Sequence, residues 1–240
     1  MHASIADQSV AELGGRLSVL SRQRADHVHL DRLLHDLDGA TGERQQQVLL
    51  RLYRLVFPHA FAEESVLWPL MRRVLPDGEA LTLEVEREHQ EVNEIVTRLE
   101  RTPPDDPARG PLLDRLAAVL REDVRDEEDE LFPRLQAVTD RRQLVRLGLL
   151  WEVVRRVAPT RAHPVVARRP PGNVISALPL SVVDRLRDVA DAVVPHAPQR
   201  VRPALRATSR GLGSVGHVIE RVPLLRIGED PSTRVAASAA

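Results

Sequence analysis

The chain has 240 residues, 42% of them apolar, and a formal net charge of −1, so it can build a core and its bulk charge selects no partner. It has no cysteine, which excludes disulfides, thiolate catalysis and cysteine-ligated zinc or iron–sulfur sites. The first residues lack the apolar run of a signal peptide, and no stretch approaches the ~20 apolar residues of a membrane helix, so a soluble cytoplasmic chain is expected.

The first 158 residues read as helices, with apolar positions recurring at three- and four-residue steps. Helix 1 is predicted over roughly 8–38, with Leu13, Leu17, Leu20, Leu30, Leu34 and Leu37 on its stripe. Helix 2 follows over roughly 43–75, helix 3 over 79–101 and helix 4 over 111–138, separated by "DGATGE", "LPDGEA" and "TPPDDPARGP". A fifth helix is expected over 140–157. Pro58 and Pro69 are expected to kink helix 2, and Pro133 helix 4. Four long amphipathic helices with short connections predict an all-α fold: an antiparallel, up-down four-helix bundle with an additional helix.

The texture changes after residue 158. Residues 1–160 carry a net charge of −7 and residues 161–240 a net of +6, every basic residue being Arg. The absence of Lys reflects a GC-rich genome and hence a bacterial source. The expected domains are therefore a helical bundle over 1–158 and a basic, Pro-rich, partly helical extension over 159–240. Within the extension "PTRAHPVVARRPPGNV" reads as a linker and 179–194 as an amphipathic helix. Residues 200–227 are ambiguous, and "EDPSTRVAASAA" reads as a disordered tail. Arginine without interleaved aromatics reads as a solvated basic face, so no nucleic-acid partner is expected.

Polar residues interrupt each apolar stripe of the bundle. His27 falls among the leucines of helix 1, His59 and Glu63 lie on the stripe of helix 2, His89 on that of helix 3, and Asp123 and Glu127 on that of helix 4. Buried carboxylates are costly unless paired, and three of them with three imidazoles call for a cation. His59/Glu63 and Asp123/Glu127 are i, i+4 pairs, so each pair leaves one helix face.

The chain also repeats itself. "DHVHLDRLLHDL" at 26–37 is similar to "EHQEVNEIVTRL" at 88–99, and each is followed by an E-E-x-x-L-aromatic-Pro stretch. Two helical hairpins of one design make a site with two equivalent halves. Six ligands in two halves fit two metal ions bridged by carboxylates, and nitrogen and oxygen ligation without sulfur favours iron or manganese, with zinc possible. Glu64 and Glu128 read as solvated or supporting neighbours and Tyr53 as core packing. His29 and His35 read as surface residues, and His163, His196 and His217 receive no role.

Residues 20–137 resemble the hemerythrin-like proteins of the HHE cation-binding family. The His of "DHVHLDRLL", the "HAFAEESVLWP" stretch, the His of "REHQEV" and the "EEDELFP" stretch carry the resemblance. It implies a four-helix bundle with a non-haem di-iron centre, Glu63 and Glu127 bridging. Family members variously bind oxygen, sense redox state, handle peroxide or nitric oxide, or respond to iron. One position departs: the family usually has His where this chain has Asp123. An anionic oxygen there favours the ferric state and argues against simple reversible oxygen carriage. The functional expectation is a di-iron protein reacting with a small oxidant (peroxide, oxygen or nitric oxide) in oxidative or nitrosative stress. A metal- or redox-responsive regulator and an iron-storage protein are the alternatives.

Overall fold

A computed structural model describes residues 3–234, in which there is no β-strand. The chain starts with a 3-10 turn at Ile5–Asp7 and enters α1 only at Val19–Leu37. Helix 1 is thus shorter than its apolar spacing predicted. Gly14 and Gly15 both adopt positive φ, 88° and 98°, which L-residues resist and which ends any helical run. Ser18 then caps α1, its hydroxyl accepting from the Leu20 N–H. Leu13 is buried without being helical, and Leu17 is exposed.

Helices α2 (Gly42–Ala62) and α3 (Trp68–Val74) form one rod joined by a π-turn at Glu63–Leu67. The second hairpin repeats this: α4 (Gly78–Arg101), then α5 (Arg109–Asp126), a π-turn at Glu127–Leu131 and α6 (Phe132–Val138). In each turn the bond spans five residues, from the Trp68 N–H to the Glu63 carbonyl and from the Phe132 N–H to the Glu127 carbonyl. The prolines explain it. A proline ring clashes with the carbonyl four residues back, here Ser65 or Asp129, and both lie inside the widened turn. Pro69 and Pro133 are therefore accommodated by π-turns. α2 runs through Pro58 without interruption, flanked by buried Phe57 and His59.

Helix α7 (Arg141–Val157) carries a capping box at Asp140 and Gln143 and lies against α1 and α2. Its approach requires Gly148, where a Cβ would sit 2.2 Å from the Leu17 carbonyl oxygen. Residues 159–171 have no regular structure, as expected, yet Thr160, Arg161 and His163 are buried. Two further helices, α8 (Gly172–Val193) and α9 (Arg202–Glu220), form a packed pair. α8 begins earlier than predicted because Pro179 is taken into the helix, and the ambiguous stretch after residue 200 is helical. Of the stretch expected to be disordered, Pro231–Thr233 form a 3-10 turn with Thr233 buried, and residues 235–240 lie outside the described residues.

The bundle core falls into two apolar clusters. One gathers Leu34, Leu52, Val96 and Leu116. The other gathers Leu20, Trp68, Phe132 and Trp151. Between them in chain order, on all four helices of the bundle, lie the polar residues that interrupted the stripes.

Candidate metal centre

All six interrupting residues meet in this layer, and each is buried. His27, His59, Glu63 and Glu127 present ligand atoms within 4.8 Å of one another, and so do His89, Asp123 and Glu127. Glu127 therefore belongs to both groups. Glu63 spans them as well: Oε1 lies 3.0 Å from His59 Nε2 and Oε2 3.8 Å from His89 Nε2. His27 Nε2 lies 3.1 Å from Glu127 Oε2, and His89 Nε2 3.3 Å from Asp123 Oδ1. Each of these two glutamates opens a π-turn, one helical turn after His59 or Asp123.

The other ring nitrogen of each histidine is occupied. Nδ1 of His27 is 2.9 Å from Glu128, Nδ1 of His59 is 3.2 Å from Asp26, and Nδ1 of His89 is 3.0 Å from Glu64. An ionised carboxylate only accepts, so each Nδ1 carries a proton and each Nε2 is left facing the centre. Oriented imidazoles backed by carboxylates are how proteins fix a metal-binding histidine. The backing runs crosswise: His27 of the first hairpin takes Glu128 of the second, and His89 of the second takes Glu64 of the first. Asp26 is the residue that the sequence reading missed. It is held in turn by Arg155 of α7 at 3.0 Å, whose guanidinium lies 4.9 Å from the Trp151 ring centre.

The donor set fits a cation. His27 Nε2, His89 Nε2, Asp123 Oδ1 and both oxygens of Glu63 and of Glu127 are buried with no hydrogen-bond partner. Orphaned buried polar atoms of this kind are rare and need an explanation. The electrostatics agree. Burial opposes a charge on His27, but Glu127 and Glu128 outweigh it and push the imidazole up to about 9. Burial, then Glu63 and Asp123, push Glu127 up to about 8. His59 is raised despite burial by Glu63 and Asp26, and His89 despite burial by Asp123 and Glu64. Crowded anions thus keep protons where a metal ion would supply the charge.

The halves differ at one place. In the repeat, Asp26 and His27 correspond to Glu88 and His89, and His59 to Asp123. Burial works against an ionised Asp26, but His59 and Arg155 outweigh it and hold its carboxyl low. Glu88 faces a carboxylate instead of an imidazole. Burial, Asp123 and Asp126 push it up to about 8, and its Oε2 has no partner.

The C-terminal extension reaches the second half. Asn93 donates to the His89 carbonyl while its Oδ1 accepts from the His163 N–H. Arg168, buried, approaches Glu64 at 3.9 Å. His163 itself is clamped between Asp184 at 3.1 Å and Glu220 at 2.9 Å. Tyr53 packs on Phe57 with ring centres 5.9 Å apart, in the apolar core, and does not line the site. Beside the six residues, a cavity of about 20 Å³ is lined by Leu30, Leu55, Val56, Leu120 and Val124 along with His59, His89 and Asp123.

Residues 18–135 match the family described as the hemerythrin HHE cation binding domain, a span that holds all six residues. An uncharacterized hemerythrin-like protein of Schizosaccharomyces pombe is 26% identical over 158 residues, covering 65% of this chain and 75% of its own length. A DNA nickase of Nostoc is 27% identical over 114 residues, 47% of this chain, which spans only 32% of that protein. No solved structure matches.

Proposed function

Residues 18–135 belong to the hemerythrin HHE cation-binding family, and from that premise we propose that the chain holds a carboxylate-bridged pair of irons that reacts with a small oxidant. His27, His59, Glu63 and Glu127 would hold one ion, and His89, Asp123 and Glu127, with Glu63 nearby, the other. Iron bound there would supply one-electron chemistry. The chain's own residues do the rest. The Nδ1 partners Asp26, Glu64 and Glu128 orient the imidazoles. The two apolar clusters exclude water, and the leucines and valines of the cavity admit only small molecules.

The cavity carries this reading. At about 20 Å³ it exceeds the ~10–15 Å³ that one water needs, which supports a ligand of the size of water, peroxide or a diatomic gas beside the six residues. Asp123 adds a negative charge where the other half has an imidazole, which favours the ferric state and hence consumption of an oxidant over its reversible carriage. The test is aerobic purification with metal analysis, an optical spectrum and turnover assays. Iron, near-ultraviolet charge-transfer bands and consumption of peroxide or nitric oxide are expected. Zinc alone, or iron with no reaction towards any of the three, contradicts the reading.

A second reading, a metal- or redox-responsive regulator, draws on the links from His89 through Asn93 to His163 and from Glu64 to Arg168. Metal-dependent protection of residues 159–234 from proteolysis, without turnover, favours it.

A further inference from the structure

Helix α8 is apolar on both faces. It buries Ala177, Leu180, Val183 and Ala190 together with the polar Asn173, Ser176 and Asp184, and it exposes Val174, Leu178, Val182, Leu186, Val189 and Val193, which are 44–67% accessible. Its buried polar side chains are used: Asn173 donates to the Arg168 carbonyl, Ser176 to the Asn173 carbonyl, and Asp184 accepts from Thr160, Arg161 and His163. Among the described residues nothing covers the outer row. Contiguous apolar surface of this extent marks an interaction site.

We propose that this face pairs with the same face of a second copy of the chain, α8 running antiparallel to α8 about a twofold axis near residue 184. Three observations choose that occupant. First, the row is self-complementary. Its steps of 4, 4, 4, 3 and 4 residues read almost alike from either end, so an antiparallel copy sets Val174 opposite Val193, Leu178 opposite Val189 and Val182 opposite Leu186. Second, the area is of the right size. The row and the neighbouring Ile175 offer roughly 700 Å² of apolar surface, close to the ~800 Å² per partner of a standard specific interface. Val153 and Val157 of α7, also exposed, flank the Arg156 carbonyl that Arg185 holds and extend the face.

Third, the charges suit a protein partner. Arg185, the one charge among the exposed residues of α8, is folded back, donating to the Arg156 carbonyl at 3.0 Å. The other charges of α8 are paired inward, Asp184 with His163, Asp188 and Asp191 with Arg161, and Arg187 with Glu100, so the outer face offers no basic rim to an anionic lipid surface.

The test is the mass of the full chain in solution from low micromolar to ~100 µM, by light scattering or sedimentation. A dimer is expected. The Val182→Glu/Leu186→Glu double variant should be monomeric, with helical content and metal content unchanged because neither side chain is buried. The chain has no cysteine, so a single introduced thiol reports geometry directly. A Val182→Cys variant should cross-link to itself with a short bismaleimide. A Val193→Cys variant should not, its twofold mate lying about 27 Å along the axis. A monomer at every concentration overturns the proposal, as does a dimer that survives the double substitution or cross-links at 193 rather than 182. A monomer that sediments with anionic vesicles assigns the face to a membrane and overturns it equally.

Discussion

The two halves of the metal centre descend from one repeated design but are finished by different parts of the chain. In the first half His59 rests on Asp26, and Asp26 rests on Arg155 of α7. In the second half the place of His59 is taken by Asp123, and the place of Asp26 by Glu88, so an imidazole–carboxylate pair has become two carboxyl groups. That half is backed not by α7 but by the C-terminal extension, through Arg168 and His163. The comparison teaches that the repeat places Glu63, Glu127, His27 and His89, while elements outside it set how each half is charged and covered.

The comparison breaks first at the bridge. Each of Glu63 and Glu127 faces both halves, so Glu63→Ala or Glu127→Ala should take iron from about two per chain to one or none, read by metal analysis. Asp123→Ala should remove only the ion of the second half. Equal retention of both ions in all three variants would show that the carboxylates do not ligate.

The outer carboxylates come next. Asp26→Asn should weaken binding in the first half and Glu64→Gln in the second, each by ~10–100-fold, with the full metal complement restored at excess iron. Competitive chelator titration distinguishes the two, and identical profiles would show that the halves are not separately supported.

A pH titration sharpens the contrast in cover. His163 has its pKa raised to about 9: burial opposes the charge, but Asp184 and Glu220 outweigh it. Protonated His163 therefore stabilises the docked extension fully below the unfolded value of about 6.5, and that stability is lost as pH rises through about 9. Glu220 is held down at about 2 against its burial by His163 and His217, so its contribution persists above the usual carboxylate range and is lost only in strong acid. In the metal-loaded chain, hydrogen exchange over 159–234 should accelerate between pH 6.5 and 9 by a few kcal/mol of lost protection, while α1 and α2, whose His27 and His59 would then hold metal in place of a proton, change less. His163→Gln should flatten that dependence. Uniform acceleration across the chain would contradict it.

The smallest effect is expected from Asp123→His, which makes the halves more alike. Iron content should be retained, the charge-transfer bands should shift and the reduction potential should rise, since one negative charge is removed. An unchanged spectrum and potential would remove Asp123 from the ligand set.

The site was legible because burial makes its residues conspicuous. His27, His59, Glu63, His89, Asp123 and Glu127 are polar where the period demands leucine, and the fold brings all six together. The helices α4 and α7 were readable for the same reason, each a clean stripe between turn residues. Helix 1 was overextended because apolar spacing carries no record of the positive φ at Gly14 and Gly15. The π-turns escaped a reading based on 3.6 residues per turn, although Pro69 and Pro133 marked them. Asp26 carries no local signal of its role, since its partner Arg155 lies 129 positions away, beyond any local pattern. His163 likewise shows its role only when α8 and α9 bring Asp184 and Glu220 to it.

Mössbauer spectroscopy of the chain loaded with iron-57 tests most directly the claim of two bridged but unequal halves. The account predicts two quadrupole doublets of equal area, one for the ion held with His27 and His59 and one for the ion held with His89 and Asp123, together summing to about two irons per chain. A single doublet, or iron at about one per chain, would contradict it.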